Sequence, residues 1–153
     1  MRRSGIISMA HQAGSTALDP MLWNLFHDGV LTRAEGAVPG EVRLFIDIPY
    51  LRAKFPGKGA GFDVVLSECS KLSLVMRGGS VIALADIRYI KPEILSAEPG
   101  PPLKIFCEGG TLTLQYRSVE LFVDSGAPIT LQELDAASEA YWTEWEAGAH
   151  RDG

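Results

Sequence analysis

The stretch LKIFCEGGTLTLQY, residues 103–116, is the clearest β-hairpin in the sequence. On both sides of its Gly-Gly pair, apolar residues recur at every second position, which is the period of a strand with one buried face. A two-residue glycine loop favours the turns whose positive φ angles match the twist of paired strands. With Gly109 and Gly110 in the loop, the predicted cross-strand pairs are Cys107–Leu112, Ile105–Leu114 and Leu103–Tyr116.

Similar alternating segments lie on both sides of this hairpin. They are EVRLFIDI (41–48), FDVVLSE (62–68), KLSLVMR (71–77) and VELFV (119–123). Because the link ECS is short, the second and third segments are predicted to form a hairpin, and Gly78–Gly79 is predicted to turn the chain again. The Pro-rich SAEPGPP, residues 96–102, is predicted to be a long loop that crosses from one sheet to another.

The last part of the chain changes from the period of a strand to that of a helix. In ITLQELDAASEAYWTEWEAG, residues 129–148, Thr130 and Glu133 have the spacing of a capping box. The residues with helical spacing are Leu131, Leu134, Tyr141 and Trp145, flanked by Ala137 and Trp142. We therefore predict an amphipathic helix over about residues 130–147 that ends near Gly148 and covers an open side of the sheets.

Together these segments predict a mainly β protein of the α+β class. About eight strands are expected to form an antiparallel sandwich or strongly curled sheet, with one C-terminal amphipathic helix. A length of 153 residues fits one domain. We assign residues 1–20, which lack a hydrophobic period, to a mobile N-terminal tail, residues 21–148 to a single β-rich domain, and residues 149–153 to a short tail.

Composition argues against several classes of function. The net charge of −5 and the lack of a basic run longer than Arg2–Arg3 disfavour nucleic-acid binding. No apolar run reaches the roughly 18 residues of a membrane span, and the apolar part of the N-terminus is too short for a secretory signal. Cys69 and Cys107 have no histidines at a metal-binding spacing. We expect a cytoplasmic protein without a metal or cofactor and without a membrane or nucleic-acid partner.

A second stretch, LWNLFHDGVLTRAEG, residues 22–36, contains a His-Asp-Gly triplet. An Asp-Gly pair before a strand is typical of a turn, so we interpret His27, Asp28 and Gly29 as a structural turn. The functional alternative makes His27 an acid or base near neutral pH. In an extended segment, however, Asp28 would point away from His27 and could not orient it.

The glycines of FPGKGAGFD, residues 55–63, suggest a phosphate-binding loop. Such loops open a helix whose amides face the anion, whereas these glycines lead into an alternating strand. We therefore interpret this segment as a flexible loop that links two strands.

Acidic charge is concentrated on the predicted helix. Between Leu131 and Ala147 the acidic residues are Glu133, Asp135, Glu139, Glu144 and Glu146, and the helix has no Lys or Arg there. The last two lie where the helix dipole disfavours negative charge, and no cation of the same segment can pair with them. This pattern indicates an acidic surface that attracts a basic partner, with Glu139, Glu144, Glu146 and Trp142 as the predicted contact residues.

The run from Leu22 through GEVRLFIDIPYLR, residues 40–52, resembles the opening of small bacterial β-rich domains of unknown function with a Leu/Phe-His-Asp-Gly turn. Similar small domains look like immunity proteins of polymorphic toxin systems. The resemblance covers about residues 22–90, with Trp23, His27, Asp28 and Gly29 at the shared turn. It implies a stand-alone binding protein without catalytic residues.

These observations lead to three functional hypotheses. The preferred one is a non-catalytic protein-binding module, such as an immunity-like inhibitor, that presents an acidic helix to a basic protein. The alternative is a small-ligand-binding β protein with an apolar pocket between sheet and helix or within a curled sheet. The third is an enzyme that uses His27 with carboxylates from distant parts of the chain.

Overall fold

The protein is a β-sandwich with a long C-terminal helix. A computed structural model describes the backbone of residues 18–152 and the side chains of residues 20–148. The strands are β1 (Val30–Gly36), β2 (Gly40–Asp47), β3 (Gly61–Cys69), β4 (Lys71–Met76), β5 (Val81–Ile82), β6 (Ile94–Glu98), β7 (Leu103–Cys107), β8 (Gly110–Gln115), β9 (Ser118–Val123) and β10 (Pro128–Ile129). The helices are α1 (Leu18–Leu25), α2 (Pro49–Arg52), α3 (Ile87–Ile90) and α4 (Leu131–Asp152), with a 3-10 turn at Leu84–Asp86.

Two antiparallel sheets of five strands each form the sandwich. Their strand orders are β1-β2-β3-β9-β10 and β5-β4-β8-β7-β6. The predicted mainly β architecture with one C-terminal helix is confirmed. No helix in the described part of the chain has an apolar stretch long enough to span a lipid bilayer.

The core consists of the alternating apolar residues of both sheets. Fully buried members are Leu44, Val64, Leu66 and Leu121 from the first sheet and Leu74, Ile105, Leu112 and Leu114 from the second. Burying one such side chain stabilises the fold by about 1.5–3 kcal/mol. The period-2 pattern therefore has a direct energetic cause, since every second residue faces the other sheet.

A long two-stranded ribbon passes through both sheets. Its first arm is β3 followed by β4, its second is β8 followed by β9, and their pairing continues from Ser67–Ser118 in one sheet to Lys71–Gln115 in the other. At the bend, the amide of Arg117 donates to the carbonyl of Ser67 at 3.0 Å. The hairpin predicted at ECS is therefore wrong. Glu68 has a φ of +50°, and this left-handed residue lets the short link turn a corner between sheets.

The hairpin of β7 and β8 forms with a register two residues away from the predicted one. Its loop is Glu108–Gly109, and the observed pairs are Cys107–Gly110, Ile105–Leu112 and Leu103–Leu114. Gly110 belongs to β8, where it pairs with Met76 of β4, and a Cβ there would lie 2.7 Å from the carbonyl oxygen of Val75, which explains the glycine. A shift of two preserves the face of every side chain, so the predicted apolar face is still the buried one.

The Pro-rich segment does not cross between sheets, which corrects the prediction. Ser96–Glu98 continue β6, and residues 99–102 connect it to its neighbour β7 in the same sheet. Glu98 pairs with Lys104, so opposite charges face each other at the end of this hairpin.

The chain before β1 contains a helix that the strand-based interpretation missed. Leu22 and Trp23 in α1 and Phe26 in the turn directly after it are at most 1% exposed, with the spacing of one helix face. Leu18–Pro20, predicted to lie in the tail, belong to this helix. The rest of the predicted tail, residues 1–17, lies outside the described residues.

The capping box predicted for α4 is confirmed. The amide of Glu133 donates to Thr130 Oγ1 at 3.0 Å, and the amide of Thr130 donates to Glu133 Oε1 at 2.8 Å. The helix packs against α1 and α2 and continues past the predicted end near Gly148 to Asp152. Of its predicted apolar stripe, Leu134 is fully buried, whereas Trp145 is 57% exposed.

Candidate protein-interaction site on the C-terminal helix

Aromatic side chains meet where the turn after α1, the short helix α2 and α4 come together. This aromatic cluster consists of His27, Tyr50, Tyr141, Trp142 and Trp145. The ring centroids of Tyr50 and Tyr141 are 4.3 Å apart. Those of His27 and Trp142 are 5.8 Å apart, with nearly parallel rings. Such contacts add to the burial energy of each ring and fix the position of α4.

The structure places His27, Asp28 and Gly29 in the turn between α1 and β1. Asp28 has a φ of +72°, which short polar side chains tolerate better than most others. The amide of Gly29 donates to the carbonyl of Phe26, and that of Asp28 to the carbonyl of Ile94, both at 2.8 Å. A Cβ at Gly29 would be too close to the Phe26 carbonyl, so glycine is required here.

The imidazole of His27 is held by contacts with the backbone and with Trp142. Its Nδ1 lies 2.9 Å from the carbonyl oxygen of Asn24, which makes Nδ1 the hydrogen donor. The positive φ of Asp28 brings its carboxylate to 3.7 Å from Nε2, so the expectation that Asp28 points away from His27 is wrong. This separation is nevertheless too long for a hydrogen bond, and one face of the ring stacks on Trp142.

Tyr50 connects α2 to the same turn. Its hydroxyl donates a hydrogen bond of 3.3 Å to the backbone oxygen of His27. Burial, with smaller contributions from the Asp28 carboxylate and Tyr141, raises the pKa of Tyr50 to about 12. The hydroxyl therefore stays protonated and remains a hydrogen-bond donor throughout the physiological pH range.

The outer side of α4 bears a shallow cavity of about 310 Å³, which we call the α4 groove. Its described lining residues are Asp135, Ser138, Glu139, Trp142, Thr143, Trp145 and Glu146. Within the aromatic cluster, Trp142 packs against His27, Tyr50 and Tyr141, whereas Trp145 lies at the edge against Trp142 and is 57% exposed. The groove thus combines an exposed aromatic surface with three carboxylates.

The groove brings together three of the four predicted contact residues. Glu139, Glu146 and Trp142 line it. Glu144 does not, because its carboxylate forms an ion pair with the ammonium group of Lys54, just after α2. The predicted lack of a pairing cation therefore holds between Leu131 and Ala147 but not for the folded protein. The predicted dipole penalty on Glu144 and Glu146 is wrong, because α4 continues to Asp152 and both residues lie before its last turn. Within the described chain, Asp135, Glu139 and Glu146 form no ion pair.

A buried arginine that the sequence interpretation missed organises the glycine-rich loop. Arg52 is 1% exposed, and its Nε donates to Asp124 Oδ1 at 2.8 Å. The remaining guanidinium hydrogens are directed at backbone oxygens of the loop, those of Phe55, Pro56, Gly57 and Lys58. The loop thus directs its carbonyl oxygens at a cation, whereas a phosphate-binding loop directs its amide N–H groups at an anion.

Asp124 completes this arrangement from the end of β9. Its Oδ2 accepts hydrogen bonds from the amides of Ala60 and Gly61 at 2.7 and 3.0 Å. Partial burial by itself would raise the pKa of Asp124, but the hydrogen bonds from Arg52 and from these amides lower it overall. A Cβ at Gly59 would overlap the Asp124 carboxylate, which explains the glycine there.

A second cavity, of about 500 Å³, lies on the outer face of the second sheet. Val75, Phe106 and Thr111 line it together with Gly109 of the loop and Gly110 at the start of β8. The small-ligand alternative remains a prediction. Among the described residues, no group of three or more His, Cys, Asp or Glu side chains is arranged to hold a metal ion.

Comparisons of the chain with protein-family models, with curated proteins and with solved structures found no match.

Proposed function

We propose that the protein is a non-catalytic binding module that presents the α4 groove to a basic partner protein. The observation that supports this most directly is the composition of the groove. Trp145 is 57% exposed on a surface that also carries Asp135, Glu139 and Glu146. Exposed tryptophan is costly in water but is among the residues that contribute most to protein interfaces.

The electrostatics of α4 favour a cationic partner. Asp135 and Glu139 are four residues apart, so their like charges face each other on the helix surface and destabilise it slightly. Glu146 lies more than one turn before the end of α4 at Asp152 and forms no ion pair within the described chain. Cationic groups of a partner would offset the repulsion between Asp135 and Glu139, would pair with Glu146, and would speed association through long-range attraction.

The support beneath the groove makes it a preformed surface. The capping box fixes the start of α4, Leu134 is fully buried, and Trp142 packs on His27 and Tyr50. A partner would therefore find the groove residues already ordered, which lowers the entropic cost of binding. In this proposal the turn of His27–Gly29 has a positioning role, since it carries the ring on which Trp142 stacks.

An inhibitor is the particular form of binding module that we propose. The resemblance of residues 22–90 to small bacterial domains of unknown function, some of which look like immunity proteins, favours this form, because immunity proteins act by binding. Occupation of a basic surface by the acidic helix would block the access of other anionic molecules to that surface. The partner's own activity, measured with and without this protein, tests the inhibitory form.

The test of the binding proposal compares association kinetics of variants with the partner captured from the native host. E139Q/E146Q should slow association roughly threefold to tenfold at low salt and reduce its salt dependence. E144Q is the matched control, because it removes a helix carboxylate outside the groove and should leave association nearly unchanged. Equal association rates for E139Q/E146Q and the parent chain would contradict the proposal.

A further inference from the structure

We propose that the α4 groove binds an arginine side chain of the partner in preference to lysine. This inference rests on the proposed function and specifies the chemistry that the groove recognises. Three independent features of the groove support it: the two indole rings, the spacing of the carboxylates, and a buried hydroxyl without a partner.

The two indole rings provide a surface for a planar cation. The ring centroids of Trp142 and Trp145 are 5.8 Å apart, and their planes are inclined at 69°. Trp142 is held from behind by Tyr141 and His27, so its orientation does not depend on a ligand. A guanidinium group can stack on an indole face, and tryptophan gives the strongest cation–π attraction of the aromatic side chains.

The carboxylates flank these rings along the helix. Glu139 and Glu146 are seven residues apart, which corresponds to about 10 Å along the axis, and Trp142 lies between them. All three belong to the same groove. A guanidinium group over the indole rings could therefore direct its N–H groups towards a carboxylate on either side, and its forked geometry suits carboxylate oxygens.

The hydroxyl of Ser138 supports the proposal independently of the charges in the groove. Its side chain lines the groove and is only 9% exposed. In the described part of the chain its hydroxyl has no hydrogen-bond partner, although the great majority of buried polar groups are hydrogen-bonded. A hydroxyl oxygen can accept one of the five N–H groups of a guanidinium. A ligand in the groove would satisfy the hydroxyl.

Lysine fits these features less well. Its ammonium group is compact and strongly hydrated, so it loses more hydration when it contacts an indole ring. It would be attracted by Glu139 and Glu146, but it lacks the plane that stacks and the fork that reaches several acceptors at once. Discrimination between the two cations therefore depends on Trp145 and Ser138, and attraction of either depends on the carboxylates.

The experiment is a titration of the full chain with two peptides of equal charge, acetyl-GGRGRGG-amide and acetyl-GGKGKGG-amide. The readout is the NMR signals of the indole N–H groups. Trp142 and Trp145 should shift, whereas Trp23, which is fully buried and donates to the Tyr116 hydroxyl, is the internal reference. We expect the arginine peptide to bind about fivefold more tightly.

Variants separate the contributions. W145L and S138A should each bring the affinities of the two peptides closer together. S138A should be at least as stable to urea as the parent, because its hydroxyl has no partner to lose and alanine is the better helix former. E139Q/E146Q should weaken both peptides, and E144Q neither. An R2Q/R3Q chain repeats the titration without competition from the protein's own N-terminal arginines.

Equal affinity for the two peptides, or no binding of the arginine peptide, would overturn the arginine proposal. The proposed function would survive either result if E139Q/E146Q still slowed association with the protein partner. Loss of that kinetic effect would overturn the proposed function, whatever the peptides do.

Discussion

At the scale of single residues, Arg52 has the most demanding environment in the described chain. It is buried to 1% exposure, and its charge is neutralised by Asp124 and by loop carbonyls. A buried charge is tolerated only when paired and hydrogen-bonded, so each partner depends on the other. No local pattern in the sequence predicts this ion pair, because Arg52 and Asp124 are 72 positions apart.

Arg52→Met should destabilise the fold by about 3–5 kcal/mol, because it leaves Asp124 and several carbonyl groups without their partner. Arg52→Lys keeps the charge but not the fork, and should lose less. Urea unfolding followed by tryptophan fluorescence measures both. A loss below about 1 kcal/mol for Arg52→Met would show that the loop does not depend on this cation.

Asp124 should contribute to the acid sensitivity of the protein. Its pKa is lowered in the folded state, so the stability it provides is fully present above the unfolded value of about 3.9. That stability is lost as the pH falls through the lower folded-state value. Unfolding free energies measured between pH 7 and pH 2 should therefore converge for the parent and Asp124→Asn at the acid end. A constant difference across this range would contradict the assignment.

At the scale of elements, contacts within one helix or strand could be predicted from the sequence, whereas contacts between distant elements could not. The capping box of Thr130 and Glu133 could be predicted because both partners lie within one turn of the same helix. The register of β7 and β8 could not, because Gly110 also pairs with Met76 of β4, a strand more than 30 positions away. The corner at ECS could not be predicted either, because a link of this length fits both a hairpin and a bend between two sheets.

Thr130→Ala should destabilise the protein by about 1 kcal/mol, because it removes the acceptor for the Glu133 amide. Glu133→Gln keeps an oxygen that can accept from the Thr130 amide, and should cost less. Thermal unfolding compares the two. If Glu133→Gln were the more damaging substitution, the charge near the helix dipole would matter more than the capping hydrogen bonds.

At the scale of the whole molecule, the charge pattern predicted part of the candidate site. Glu139, Glu146 and Trp142 were predicted from the position of the acidic helix, and they line one groove. The pairing of Glu144 with Lys54 could not be predicted, because it depends on where α2 packs against α4. Ser138 carried no signal in the sequence, since its significance lies in burial without a partner.

The ribbon that passes through both sheets also determines when each sheet can be completed as the chain is made. β3 pairs with β9, and β4 with β8, so residues near position 67 find their partners only about 50 positions later. β1, β2 and β3 follow one another and can assemble as they emerge from the ribosome. The β3 side of their sheet nevertheless stays without a partner strand until β9 has been synthesised to residue 123. The acidic helix comes after that point, so the groove is among the last surfaces to exist on a newly made molecule.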